Sequence, residues 1–340
     1  MEINRLSKNF KVFAEHECKG SSELYEFLSL KIAEDNEILE LASHARAGQP
    51  IPNIMFGAVH YLLLKGKAHY LREFYPSIAK EPRNTVDSYV YFKDFCEQYT
   101  DEIISILENK LVQTNEVRRC AYLFPIFNYI YDIVKKPLAL IELGTSAGLQ
   151  LLWDKYSYSY ETDEVYGEKG SKVHITSEIK GENMPILQGT APPVASRIGV
   201  DLHTVDLTNN EDSLWLNALI WPEHNERREL FTKAAACVKD NPIILIEGDG
   251  VEMLQGLTKN VSKDYAVCVF HTHVANQMSS NQKKTLLEQV STIGADREVF
   301  HLYNNMCDRD LHLDYYIDGK AYAKKVGETD GHGRWFSWEL

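Results

Sequence analysis

The chain has 340 residues, 44% of them hydrophobic and 25% charged, with a formal net charge of −13. That length suits one large α/β unit or two domains sharing an interface, and the composition excludes disorder as the main state. The charge argues against non-specific nucleic-acid binding, which needs a basic footprint, and no apolar run approaches a bilayer span.

Residues 1–136 read as helices. Ser21 and Ser22 precede an apolar pattern at three-to-four spacing through Leu24, Phe27, Leu28 and Ile32. Residues 56–64, 90–96 and 101–111 repeat the pattern, with Thr100 as the expected cap of the last. Residues 115–133 suit one more helix, kinked at Pro125, with Thr114 or Asn115 as its cap. Residues 1–10 contain Glu2, Arg5 and Lys8 and no apolar leader core, and the six cysteines lack paired spacing. Both features point to a cytoplasmic protein. The basic pairs Arg118–Arg119, Lys135–Lys136, Lys283–Lys284 and Lys324–Lys325 are scattered and read as solvated faces.

The period changes after Pro137. Residues 138–143 form an apolar run ending at Gly144, and 147–155 resume helical spacing. Tyr156, Tyr158 and Tyr160 alternate with Ser157 and Ser159, as in a half-buried strand. A short strand is expected at 173–177, a loop at 185–212, and helices at 213–218 and 223–238. Strand runs at 243–247, 266–274 and 298–303 alternate with helical patterns at 251–257 and 282–290. Residues 311–317 and 321–326 flank Asp318-Gly319, a favoured hairpin turn. This order predicts an α/β fold. A Rossmann-like, mostly parallel sheet with an antiparallel C-terminal hairpin spans 137–340, and an all-helical domain or cap spans 1–136.

The clearest chemistry lies in Glu142-Leu143-Gly144-Thr145-Ser146-Ala147-Gly148. An apolar strand ending in an acid, a glycine turn and a helix start is how open α/β sheets build a nucleotide crevice. A dinucleotide loop, G-x-G-x-x-G/A, would need glycine at position 146 and glycine or alanine at 149, where Ser146 and Leu149 stand, and a phosphate loop would need a lysine well before Lys155. The remaining pattern, acid-x-G-x-(small)-x-G, is filled by Glu142, Gly144, Ser146 and Gly148. It is similar to the first motif of class I methyltransferases, which bind S-adenosylmethionine. A ribose there needs a carboxylate at the end of the second strand. Glu178 is the first candidate, with Asp201 and Asp206 as rivals. Asp249, after the third strand, would meet the adenine edge or cap the next helix. Asn115 opens the helix before the first strand, where a polar side chain would face the ligand.

Several strings resemble the uncharacterised bacterial family called domain of unknown function 2332. They are Val112–Val117, Gly144–Leu149 with Trp153–Tyr156, Gly199–Leu202 with Asp206, Trp215-Leu216 with Trp221-Pro222, Val269–His271 and Gly331–Trp335. The resemblance runs nearly end to end and implies a methyltransferase-like Rossmann fold, with no activity attached. Arg118 and Gln150 depart from the family pattern, where Gly and Asn are expected.

His271 and His273 share one face if 266–274 is a strand throughout. His271, which belongs to a family string, is the expected general base at the carboxyl end of the fourth strand, beside the transferring methyl. A metal pair and packed imidazoles are the other readings of the two histidines. The expected function is an S-adenosylmethionine-dependent methyltransferase acting on a small-molecule substrate, with no metal and no membrane partner. A non-catalytic S-adenosylmethionine-binding sensor or subunit is the second reading. A metal-dependent hydrolase using His271 and His273 is the third.

Overall fold

The computed structural model describes residues 3–113 and 115–340, so the cap expected at Thr114 and the leader residues Met1 and Glu2 lie outside it. The described chain divides into two compact units. One comprises residues 3–113 with 209–229, and the other 115–208 with 230–340. The helices in chain order are α1 (Ile3–Phe13), α2 (Glu23–Ile32), α3 (Asn36–Ala42), α4 (Ile51–Leu64), α5 (Ser88–Gln98), α6 (Thr100–Asn109), α7 (Cys120–Val134), α8 (Asn210–Ala218), α9 (Asn225–Asp240), α10 (Gly250–Lys259) and α11 (Ser280–Gly294). No helix among the described residues is long and apolar enough to cross a membrane.

The first unit is helical and is built around Phe56 of α4. Its buried ring stacks on Tyr25 at 4.2 Å and meets Phe10, Phe13 and Phe92 at 6.2, 6.0 and 5.9 Å. The segment 209–229 is part of this core. Trp221 packs on Phe13 and Tyr25, and α8 crosses α4 at Gly57, where a Cβ would press on Leu219 and Trp215. Ser22 caps α2 by accepting the Tyr25 N–H, and its own hydroxyl donates to Glu223 at 2.8 Å. Thr100 is not the cap expected of it. It lies within α6, and its hydroxyl donates back to the Cys96 carbonyl at 2.8 Å.

The second unit carries a seven-stranded sheet: β1 (Leu138–Leu143), β2 (Val194–Asp201), β3 (Ile244–Glu247), β4 (Ala266–His271), β5 (Val299–Tyr303), β6 (Leu311–Ile317) and β7 (Lys320–Gly327). Their spatial order is β3-β2-β1-β4-β5-β6-β7. The first five run parallel and the last two close as an antiparallel hairpin. Asp318 and Gly319 both have positive φ (50° and 72°), as a two-residue hairpin turn requires. Alternation divides the sheet into two buried faces. Ile141, Leu143, Val267, Val269 and Val299 pack on α10 and α11 through Val251, Leu254, Leu286 and Val290. On the other face Phe270 meets Phe127 of α7, which stacks on Trp153 at 4.7 Å.

Four further expectations need correction. First, β2 lies inside the stretch read as loop. Its apolar Val194, Ile198 and Val200 are interrupted by Arg197, bonded to Asp154 at 2.5 Å, and by Gly199, where a Cβ would overlap Thr145. Second, residues 149–155 form a 3₁₀ helix with non-helical backbone at Leu152, not a regular α-helix. Third, the tyrosine-rich strand Ser157–Ser159 lies outside the main sheet, pairing with Tyr166–Gly167 and His174–Thr176, and Ser157 is buried along with the tyrosines. Fourth, β4 ends at His271. His273 has left-handed backbone (φ 63°), so the two histidines do not share a strand face.

Candidate functional site

Strand order turns in opposite directions from β1, toward β2 on one side and β4 on the other. The crevice outside the carboxyl ends at such a point is where open parallel sheets bind ligands. The loop after β1 emerges there, beside residues 272–274 after β4.

Gly144, Ser146 and Gly148 all have positive φ (70°, 51° and 72°). A Cβ on Gly144 would overlap Val274, and one on Gly148 would overlap Ile243. The room left by both glycines is therefore filled by protein, and they serve backbone conformation and packing. The loop is also bonded inward. Gly144 and Thr145 N–H donate to the Val200 carbonyl, Ser146 N–H to Asp201 Oδ2 at 2.8 Å, and Gly148 N–H to the Thr145 carbonyl. Glu142 lies beneath it, buried, and accepts the Thr145 hydroxyl at 2.6 Å. Burial pushes its carboxyl up to about 8 and the Asp201 charge adds to the rise, against the Thr145 hydrogen bond and the Arg119 charge. The shift favours the protonated carboxyl at neutral pH. The Ser146 hydroxyl is buried without a hydrogen-bond partner.

The carboxylate at the end of the second sheet strand is Asp201, not Glu178. Glu178 sits in a separate ladder beside Trp335, with its N–H donating to the Arg334 carbonyl. Asp201 accepts from Ser146 N–H and, at 3.1 Å, from His203 N–H. Asp206 closes a local turn on Thr208. Asp249 caps α10, accepting from Val251 and Glu252 N–H. Asn115 does reach the loop, and its amide donates to the Thr145 carbonyl at 3.1 Å. The cap of the short helix that follows is Glu116. The fold therefore gathers Asn115, Glu142, Gly144, Ser146, Gly148 and Asp201, while Glu178 lies in the other ladder.

His271 does not open on this crevice. Sheet alternation puts its side chain with Leu143 and Val269, opposite Glu142 and Phe270. It has no solvent exposure, and its Nε2 lies 3.2 Å from Nε2 of His301. Burial, with Lys283 adding, lowers its pKa to about 3, so the two rings form a neutral pair packed on Tyr303. His273 lies elsewhere. Its N–H donates to Asn304 at 2.7 Å, and its ring lies against Gly331. Among the described residues no three His, Cys, Asp or Glu side chains converge to hold a metal.

Arg118 and Arg119, read from sequence as a solvated pair, are both buried. Arg119 Nε donates to the Gly331 carbonyl at 3.0 Å, and Nη1 donates to the carbonyl and hydroxyl of Thr272. The Thr272 hydroxyl in turn donates to Gln150. A contact joining residues 119, 150, 272 and 331 has no local sequence signature. The only hint is that the family strings lie close to all four positions.

No curated protein and no solved structure matches the chain. A family model covers residues 7–338, and the chain therefore belongs to the family described as uncharacterized protein conserved in bacteria, domain of unknown function 2332.

Proposed function

We propose that the crevice beside Gly144–Gly148 binds S-adenosylmethionine, on a Rossmann-like sheet of the methyltransferase type, and that the protein methylates a small molecule. The observation that carries this reading is the state of the loop amides. Four of the N–H groups between Gly144 and Gly148 are spent inside the protein, and a broken 3₁₀ helix follows instead of an α-helix. A pyrophosphate needs free amides at a helix N-terminus. A sulfonium nucleoside carries no phosphate and needs neither.

The residues present fit such a group. Each Asp201 oxygen keeps a lone pair beyond its one protein hydrogen bond, available to ribose hydroxyls. Leu202, 64% exposed directly after it, offers apolar surface for a base. Ser146, whose N–H bonds Asp201, carries a buried hydroxyl without a hydrogen-bond partner. When bound, S-adenosylmethionine supplies an electrophilic methyl group. The chain's own part is to hold the nucleophile in line, an alignment that supplies much of such a reaction's acceleration. His271, packed on the other face, takes no proton in this scheme. The test is thermal stabilisation by S-adenosylhomocysteine, expected for the native chain and lost in Asp201→Ala at the same concentration. Stabilisation by NAD or ATP, with none by S-adenosylhomocysteine, overturns the reading.

A further inference from the structure

Two buried side-chain donors near the carboxyl end of β4 lack acceptors, and the guanidinium beside them keeps one unbonded nitrogen. Arg119 is 6% exposed, its bonds run from Nε and Nη1, and no carboxylate of the described residues lies within ion-pair distance of it. Its Nη2 makes no protein hydrogen bond. Tyr122, three residues on and therefore on the same side of the chain, is fully buried; its hydroxyl makes no hydrogen bond of good geometry, and its polar neighbours are the Thr272 side chain and the Arg119 charge. His273 is the other buried donor. The Asn305 amide nitrogen faces His273 Nδ1 at 3.4 Å, which leaves the ring proton on Nε2, and Nε2 is buried without a partner. The Gly331 carbonyl that takes the Arg119 Nε–H belongs to the residue against which the His273 ring lies, so the two side chains flank one spot.

Leaving a buried donor unpaired costs about 1–3 kcal/mol, and a buried cation without a counter-charge costs more. A ligand that accepts from all three and brings one negative charge removes those costs together. A planar carboxylate matches the guanidinium edge and has lone pairs for the hydroxyl and imidazole. The neighbouring acids favour a monoanion: Glu116 lies 3.4 Å from His332, and Asp330 is already neutralised by Arg334 at 2.8 and 2.9 Å.

We propose that Arg119, Tyr122 and His273 form a carboxylate-binding subsite beside the loop crevice. It stands on its own donors. The methyltransferase reading bears only on the carboxylate's source, either the methyl acceptor or the amino-acid end of the cofactor. The test uses the full chain, with calorimetry and thermal shift. Probes are lactate, pyruvate, glutamate and phenylacetate against lactamide and phenylacetamide, each with and without S-adenosylhomocysteine, together with 5′-methylthioadenosine, which lacks the carboxylate. Arg119→Lys and Tyr122→Phe are the variants. Arg119 also ties two loops, so Tyr122→Phe is the cleaner probe, because it leaves the Arg119 bonds to Thr272 and Gly331 in place.

A carboxylate that binds the S-adenosylhomocysteine-saturated protein, while its amide does not, identifies an acceptor site. Alternatively, S-adenosylhomocysteine binds more tightly than 5′-methylthioadenosine, and Tyr122→Phe narrows the gap about tenfold, which identifies the cofactor's own carboxylate. Carboxylate binding without any response to S-adenosylhomocysteine overturns the methyltransferase reading and leaves the subsite standing. If no carboxylate binds and Tyr122→Phe leaves the nucleoside preference unchanged, ordered water fills the spot and the subsite is refuted.

Discussion

Replacing Glu142 by glutamine should stabilise the sheet unit, and by an amount that depends on pH. Glu142 is buried under the glycine loop with its carboxyl raised from 4.5 to about 8. Between those values the folded chain keeps a proton that the unfolded chain releases, so stability falls as pH rises through the window. The loss is about 1.4 kcal/mol per pH unit, or about 3 kcal/mol between pH 4.5 and 7. Glu142→Gln keeps the shape and an acceptor for the Thr145 hydroxyl and has no proton to lose. It should match the native chain near pH 4.5 and exceed it by up to about 3 kcal/mol at pH 7. Urea unfolding followed by exchange protection of β1 and β4 amides reports the difference for this unit. A difference that stays constant from pH 4.5 to 8 would show that Glu142 is ionised in the folded state and refute the reasoning.

The His271–His301 pair should act in the opposite direction. Both imidazoles are neutral in the fold and protonate in the unfolded chain below 6.5, so stability is lost as pH falls from 6.5 toward about 3. His271→Phe should flatten that acid limb by about 1.4 kcal/mol per pH unit in urea titrations, and an unaltered slope contradicts the neutral pair. Gly144→Ala combines positive φ with a collision against Val274 and should cost about 2–5 kcal/mol. Adding Val274→Ala should recover the packing share alone, and full recovery would show that the backbone is unstrained. Gly148→Val collides with Ile243 and should lower the melting temperature of the ligand-free protein. An unchanged melting temperature would mean that the glycine leaves room for a ligand after all.

Local signals made much of the sheet legible. Runs such as 138–143 and 243–247, and the Asp318-Gly319 turn, carry their structure in neighbouring residues, and the parallel sheet with its closing hairpin follows from their order. β2 was illegible because its central Arg197 and Gly199 answer to Asp154 and Thr145, which are distant in sequence. With β2 read as loop, Glu178 ranks ahead of its rivals Asp201 and Asp206 as the second-strand carboxylate. The same reason hid Arg119, whose partners are Thr272 and Gly331. His271 was misplaced by register. Its strand stops at His271, short of 274, and alternation counted from Glu142 puts the side chain on the other face.

The most direct test of the central claim is a calorimetric titration of the native chain with S-adenosylhomocysteine, NAD and ATP in turn. The loop geometry predicts saturable one-site binding of S-adenosylhomocysteine that Asp201→Ala abolishes, with no binding of the two phosphate-bearing nucleotides. Saturable binding of NAD or ATP, with S-adenosylhomocysteine inert, would contradict it.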